Sequence, residues 1–217
     1  PTMSSHIAIM MADLSGYTAL TDVHGPEAAA ALVGRMMHLV NSSLVGDSRL
    51  HQQVGDQVVI VSSSPEQLAY TAILLFEKVY EQEKFLPMHA GLHYGPILKK
   101  DNNYFGSTIN AAARIMSNAE RGKILCSAEF REQLPAGDAF VFNKLGQKQF
   151  KNLLQPIDLF ELSCCITNIS RVYVIDPVCH MLIKEPAKAL QLDHPEGSAW
   201  FCSEKCRDLY KEIKGMA

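Results

Sequence analysis

Arg49-Leu50-His51-Gln52-Gln53-Val54-Gly55-Asp56-Gln57-Val58-Val59-Ile60-Val61-Ser62 contains two β-forming segments, residues 49–54 and 57–62, on either side of Gly55-Asp56. A glycine-containing dipeptide between two such segments is the signal of a two-residue hairpin, and it puts Asp56 on the tip. Upstream, residues 7–11 form a continuous apolar run ended by Asp13-Leu14-Ser15-Gly16. The run is too short for an ordinary helix, so it reads as a buried strand with Asp13 at its end. Between strand and hairpin, Pro26 opens an alanine-rich amphipathic helix reaching about residue 45, proline being well tolerated in a first turn.

Downstream, Ser64-Pro65-Glu66 starts a second helix to about residue 84, with Leu68, Ala72, Leu75, Phe76 and Val79 on one face. Residues 88–94 return as a strand, Gly95-Pro96 is expected to turn the chain, and residues 101–103 to form a polar loop before a third helix over 107–118. Short strands are expected at 123–126, 140–145 and 159–162. The order strand, helix, two strands, helix, strand is the ferredoxin-like arrangement of an α+β fold, here extended by a helix and further strands. Residues 1–162 make this domain. Residues 163–173 have no clear period and read as a linker. The remaining unit, 174–217, is too small to rely on its own apolar core, so a metal or docking onto the first domain is expected.

The bulk composition agrees with one core and a small addition: 217 residues, 47% hydrophobic and 20% charged. A net charge of -3 offers no basic footprint for nucleic acid or an anionic membrane. No apolar run approaches the roughly 20 residues that span a bilayer, and the first residues lack signal-peptide features, so a cytoplasmic protein is expected. Of the six cysteines, Cys126 stands alone, Cys164 and Cys165 are adjacent, and Cys179, Cys202 and Cys206 lie in the tail. In a reducing compartment the tail group suggests metal ligands rather than disulfides.

Asp13 at a strand end and Asp56 on a hairpin tip can converge on one ion, because neighbouring strands lie only about 5 Å apart. Magnesium takes hard oxygen ligands, usually one or two carboxylates plus substrate phosphates. Taken singly, either aspartate is more often a turn residue. Asn110 and Arg114, four apart on a helix, share a face. Together they could offer a directional hydrogen bond and a planar charged fork to a phosphoryl group, although a lone arginine on such a helix is usually just solvated.

Taken together, Ala12-Asp13-Leu14-Ser15-Gly16-Tyr17-Thr18, Val54-Gly55-Asp56, Gly91-Leu92-His93-Tyr94-Gly95-Pro96, the run from Tyr104 to Arg114 and Phe150-Lys151-Asn152-Leu153 resemble the class III nucleotide cyclases, in the family's order. The resemblance covers roughly residues 6–162. It implies a head-to-tail homodimer with active sites across the interface, and a nucleoside triphosphate as substrate. It further implies two Mg2+ or Mn2+ ions on Asp13 and Asp56, with Asn110 and Arg114 supplied by the partner chain. Lys151 matches a family lysine that contacts phosphate.

The family's adenine-selective pattern has a lysine where this chain has Gln52, and an aspartate or threonine where it has Asn103. Amides present either a donor or an acceptor, so this pair does not enforce one purine. ATP is the default substrate as the family's common one. The alternative is a catalytically weak or silent nucleotide-binding or metal-sensing regulator.

A second resemblance, to the small YHS metal-binding module, rests on Asp176-Pro177-Val178-Cys179-His180-Met181 and Trp200-Phe201-Cys202-Ser203-Glu204-Lys205-Cys206. Three thiolates suit Zn2+ or Cu+, and the Cys202 to Cys206 spacing places both on one side of a helical turn. The fourth ligand is unassigned: His180 and His194 are candidates, although a lone histidine is more often not a ligand. Cys126 is expected in the core. Cys164 and Cys165 read as exposed bystanders, and the methionine pairs at 10–11 and 36–37 as core or interface fillers.

Overall fold

A computed structural model describes residues 5–101, 103–137, 139–151, 153–164, 173–184, 186–194 and 197–216, with only the backbone at residues 164, 187 and 194. Strand β1 (Ser5–Leu14) leads into helices α1 (Tyr17–His24) and α2 (Pro26–Ser43). The hairpin β2 (Arg49–Val54) and β3 (Gln57–Ser62) follows, then α3 (Pro65–Tyr80) and β4 (Met88–Lys100). These four strands lie in the order β2-β3-β1-β4, the ferredoxin-like order, with antiparallel neighbours. The sheet continues through β6 (Ile124–Ser127), β8 (Ile157–Cys164) and β7 (Phe140–Lys148), while β5 (Asn103–Phe105) pairs with the far end of β4.

The alternation of β1 divides the interior. Ala8, Met10 and Ala12 face α2 and α3, against Leu32, Met36, Leu68, Leu75 and Phe76. Ile7, Ile9 and Met11 face the opposite way, under α4 (Ser107–Asn118), where Ala112 and Met116 meet them. Cys126 is buried in the first of these layers, and burial pushes its thiol up to about 12, which makes it an inert core residue.

Two expectations change. Gly95-Pro96 does not turn the chain, because β4 runs through it to Lys100. Beyond Leu92 that strand no longer pairs with β6, so a residue without an N–H is tolerated there. The glycines have another purpose: a Cβ on Gly91 would lie 2.1 Å from the Met116 backbone nitrogen, and one on Gly95 2.7 Å from Thr108 Oγ1. They let α4 lie directly on β4. Asn103 belongs to β5 rather than to a loop, paired with Lys100. Helices α1 and α5 (Ala128–Arg131) were not foreseen; both are too short to leave a periodic apolar stripe.

The C-terminal unit consists of two small hairpins, β9 (Val174–Ile175) with β10 (Leu182–Ile183) and β11 (Leu190–His194) with β12 (Gly197–Phe201), and helix α6 (Glu204–Lys214). It docks onto the first domain. The Leu182 N–H donates to the Phe85 carbonyl at 2.8 Å, Lys184 Nζ donates to the Glu81 carbonyl, and the Tyr173 and Tyr80 rings lie 5.3 Å apart. Most of the expected linker, residues 165–172 and with it Cys165, lies outside the described residues, as do the side chains of Cys164 and His194.

Candidate functional site

The β2–β3 turn leaves only Gly55 and Asp56 between the paired residues Val54 and Gln57. Gly55 has φ 61° and Asp56 is not among the positive-φ residues, which is the two-residue turn with glycine in its first central position. Asp13 continues the alternation of Ile7, Ile9 and Met11 at the end of β1, next to β3. The two carboxyls meet within hydrogen-bonding reach, half-buried. Burial and the adjoining Asp13 push Asp56 up to about 7. Two carboxylates this close cannot both stay charged in a partly buried site unless a cation or a shared proton lies between them. Such an oxygen-rich pair fits a hard divalent ion.

The Leu14 N–H donates to Asp13 Oδ1 at 2.9 Å, which holds the carboxylate against the turn. His89, across from Asp13 on β4, lies 2.9 Å from Ser15 Oγ through its Nδ1 and feels the Asp56 charge. Burial holds its imidazole below the ordinary value. Sequence reading passed over His89, which carried no signal beyond its place in a strand.

Helix α4 buries Ala111, Ala112, Ile115 and Met116 and exposes Asn110 and Arg114. Neither exposed side chain has a hydrogen-bond partner among the described residues. Both point away from the layer they cover. Lys151 is exposed beside Phe150, which packs on Ala111 and Ile115, so its backbone lies along the same helix. Gln52 and Asn103 line one open groove of about 540 Å³ with Arg49, His51, Lys99 and Tyr104. The Arg49 guanidinium donates to the Tyr104 hydroxyl at 2.5 Å, which ties β2 to β5 across the groove floor. Burial, then the Arg49 and Lys99 charges, hold His51 below its usual value.

In the C-terminal unit, the Cys202 sulfur lies 3.4 Å from that of Cys179 and 3.6 Å from that of Cys206. His24 joins them from α1, its Nε2 3.7 Å from Cys202 Sγ and 3.5 Å from Cys206 Sγ. Among the described residues these four form one group with ligand atoms all within 4.8 Å of one another. His180 is not part of it. That residue lies over Gly16, where an added Cβ would come within 2.6 Å of its own Cβ, and its Nδ1 is 2.9 Å from Arg121 Nη2.

The fold is that of the class III cyclases. Residues 2–160 match the family model described as "Adenylate and Guanylate cyclase catalytic domain", and the chain belongs to that family. An uncharacterized protein of Mycobacterium tuberculosis is 37% identical over 155 residues, covering 71% of this chain and 40% of its own length. A pH-sensitive adenylate cyclase of the same species is 28% identical over 159 residues, 72% of this chain and 40% of its own. The chain thus spans about 40% of the length of these curated relatives. Among solved structures, an adenylate cyclase of Trypanosoma brucei in its monomeric state superposes with a TM-score of 0.68 at 20% identity, covering 73% of this chain and 88% of that one. Among the described residues no helix is long and apolar enough to cross a membrane.

Proposed function

We propose that the chain is a nucleotide cyclase that converts a nucleoside triphosphate, by default ATP, to the 3',5'-cyclic monophosphate with release of pyrophosphate. The observation that carries this reading is the contact of the Asp13 and Asp56 carboxyls in a domain of this family. Asp13 and Asp56 would hold Mg2+ or Mn2+, two ions per site. When bound, these supply positive charge to the polyphosphate and make the 3'-hydroxyl easier to deprotonate. The 3'-oxygen then forms a bond to the α-phosphorus, the bond to the bridging oxygen of pyrophosphate breaks, and the hydroxyl proton is lost to solvent.

Asn110 and Arg114 are exposed and face away from their own core, which supports a site completed by a second copy of the chain. There the guanidinium fork would meet charge building on the phosphoryl oxygens, and the asparagine amide would hold the ribose or phosphate in line. Lys151 would add a cation to the polyphosphate. Gln52 and Asn103 would meet the base in their common groove, with amides that accept either purine. The domain division is proposed at residues 1–162 and 174–217. Cytoplasmic placement is proposed with it.

The test is incubation of the purified protein with each nucleoside triphosphate and Mn2+, with products resolved by mass spectrometry. A cyclic monophosphate and an equal amount of pyrophosphate are expected. Their absence from a preparation shown to be dimeric overturns the reading.

A further inference from the structure

The thiol group in the C-terminal unit has three members from that unit and one from the cyclase domain, 155 residues away from the nearest of them in sequence. A tetrahedral zinc ion bonded to sulfur at about 2.3 Å and to nitrogen at about 2.0–2.1 Å sets its sulfurs about 3.8 Å apart and each sulfur about 3.6 Å from the nitrogen. The sulfur pairs here are at 3.4 and 3.6 Å, and the sulfur to Nε2 pairs at 3.5 and 3.7 Å. Those separations are far longer than the roughly 2.05 Å of a disulfide. Four of the six donor pairs are therefore already at the separations of a tetrahedral site and all six lie within 4.8 Å, with Cys179 and Cys206 fully buried.

The surrounding groups hold these corners in place. Asp176 is fully buried, and its carboxylate accepts from the N–H groups of Val178 at 2.8 Å, Cys179 at 3.2 Å and Cys202 at 2.8 Å. One side chain thus anchors both cysteine-bearing loops. Ser203 caps α6 by accepting from the Cys206 N–H at 3.3 Å. Val23, beside His24, packs into the apolar cluster formed by Phe201, Cys179 and Cys206. His24 ends α1, the helix that begins just after the Asp13-Leu14-Ser15-Gly16 turn.

We infer that His24, Cys179, Cys202 and Cys206 form a Cys3His zinc site that spans the two parts of the chain, with His24 as a true ligand. The ion clamps the C-terminal unit onto the cyclase domain and pins the end of α1. This holds whether or not the chain turns over nucleotide. Three thiolates with one imidazole form a closed site of structural type, with no corner left for substrate. His24 was out of reach of sequence reading because nothing near it resembles a metal motif.

The full-length chain, reduced and stripped of metal, is titrated with Zn2+ against a chromophoric chelator, and its Co2+ spectrum recorded. One zinc per chain is expected, with a tetrahedral Co2+ spectrum carrying thiolate charge transfer. His24→Ala should weaken zinc binding no less than the roughly 10–100-fold that changes outside the ligand set cost, and should shift the Co2+ bands. His24→Cys, which keeps a soft donor, should recover the affinity. Hydrogen exchange gives the second readout: zinc should slow exchange over residues 17–24 in the natural chain and leave it unchanged in His24→Ala. Unaltered zinc affinity in His24→Ala overturns His24 as a ligand. Zinc protection confined to residues 174–216 overturns the clamp. A chain that takes up copper(I) but no zinc overturns the choice of metal.

Discussion

The carboxylate pair and the thiol group are both compact, but they are assembled in different ways. Asp13 ends β1 and Asp56 stands in the turn that leads into the neighbouring strand β3, so the pairing of β1 with β3 brings them together as soon as the sheet forms. The three cysteines lie together within the C-terminal unit, and His24 joins them only because that unit docks on the cyclase domain. A site built on strand pairing follows from local periodicity and turn chemistry. A site built on docking depends on surface complementarity, which no short stretch of sequence encodes.

The largest expected effect tests the first of these centres. Asp56→Ala removes half of the oxygen pair, and since bound metal is worth several kcal/mol to phosphoryl chemistry, cyclic product should fall about a thousandfold, read by product mass spectrometry. Zinc uptake in the C-terminal unit should persist in that variant, which separates the two centres. Arg114→Ala should cost about 100- to 1000-fold, as removal of one stabilising donor commonly does. Mixing Asp56→Ala with Arg114→Ala chains should restore turnover, because a mixed dimer rebuilds one intact site. A mixture as inactive as its parts would show that one chain carries a whole site.

The second centre is sharpened by Asp176→Asn. Its amide would present an N–H to the Cys202 N–H or lose its contacts with Val178 and Cys179, so zinc affinity should drop about 10–100-fold by chelator competition. The smallest effect is expected in the groove. Gln52→Lys with Asn103→Asp replaces two adaptable amides with charged groups of the adenine-selective pattern and should raise the preference for ATP over GTP by about tenfold, measured as a ratio of kcat/KM.

The legible parts of the molecule share a physical character. The hairpin at residues 49–62 was readable to the residue because Gly55 supplies the φ 61° its turn needs, and α4 because Thr108, Ala111, Ala112, Ile115 and Met116 recur at helical spacing. Gly91 and Gly95 looked like strand and turn residues, and only the close approach of α4 explains why both lack a side chain. His180 drew attention as a possible ligand by standing in a cysteine motif. Its contacts with Gly16 and Arg121 make it part of the docking surface instead.

The sequence by itself determined the ferredoxin-like succession of elements, the helix faces and the approach of Asp13 to Asp56, since alternation, capping and turn residues act over a few positions. It also marked three thiols as a soft-metal group. Only the tertiary structure decided that the fourth donor is His24, that Asp176 holds both cysteine loops, and that Asn110 and Arg114 turn outward from their own chain. Those outcomes depend on which surfaces bury one another, a property of the packed whole.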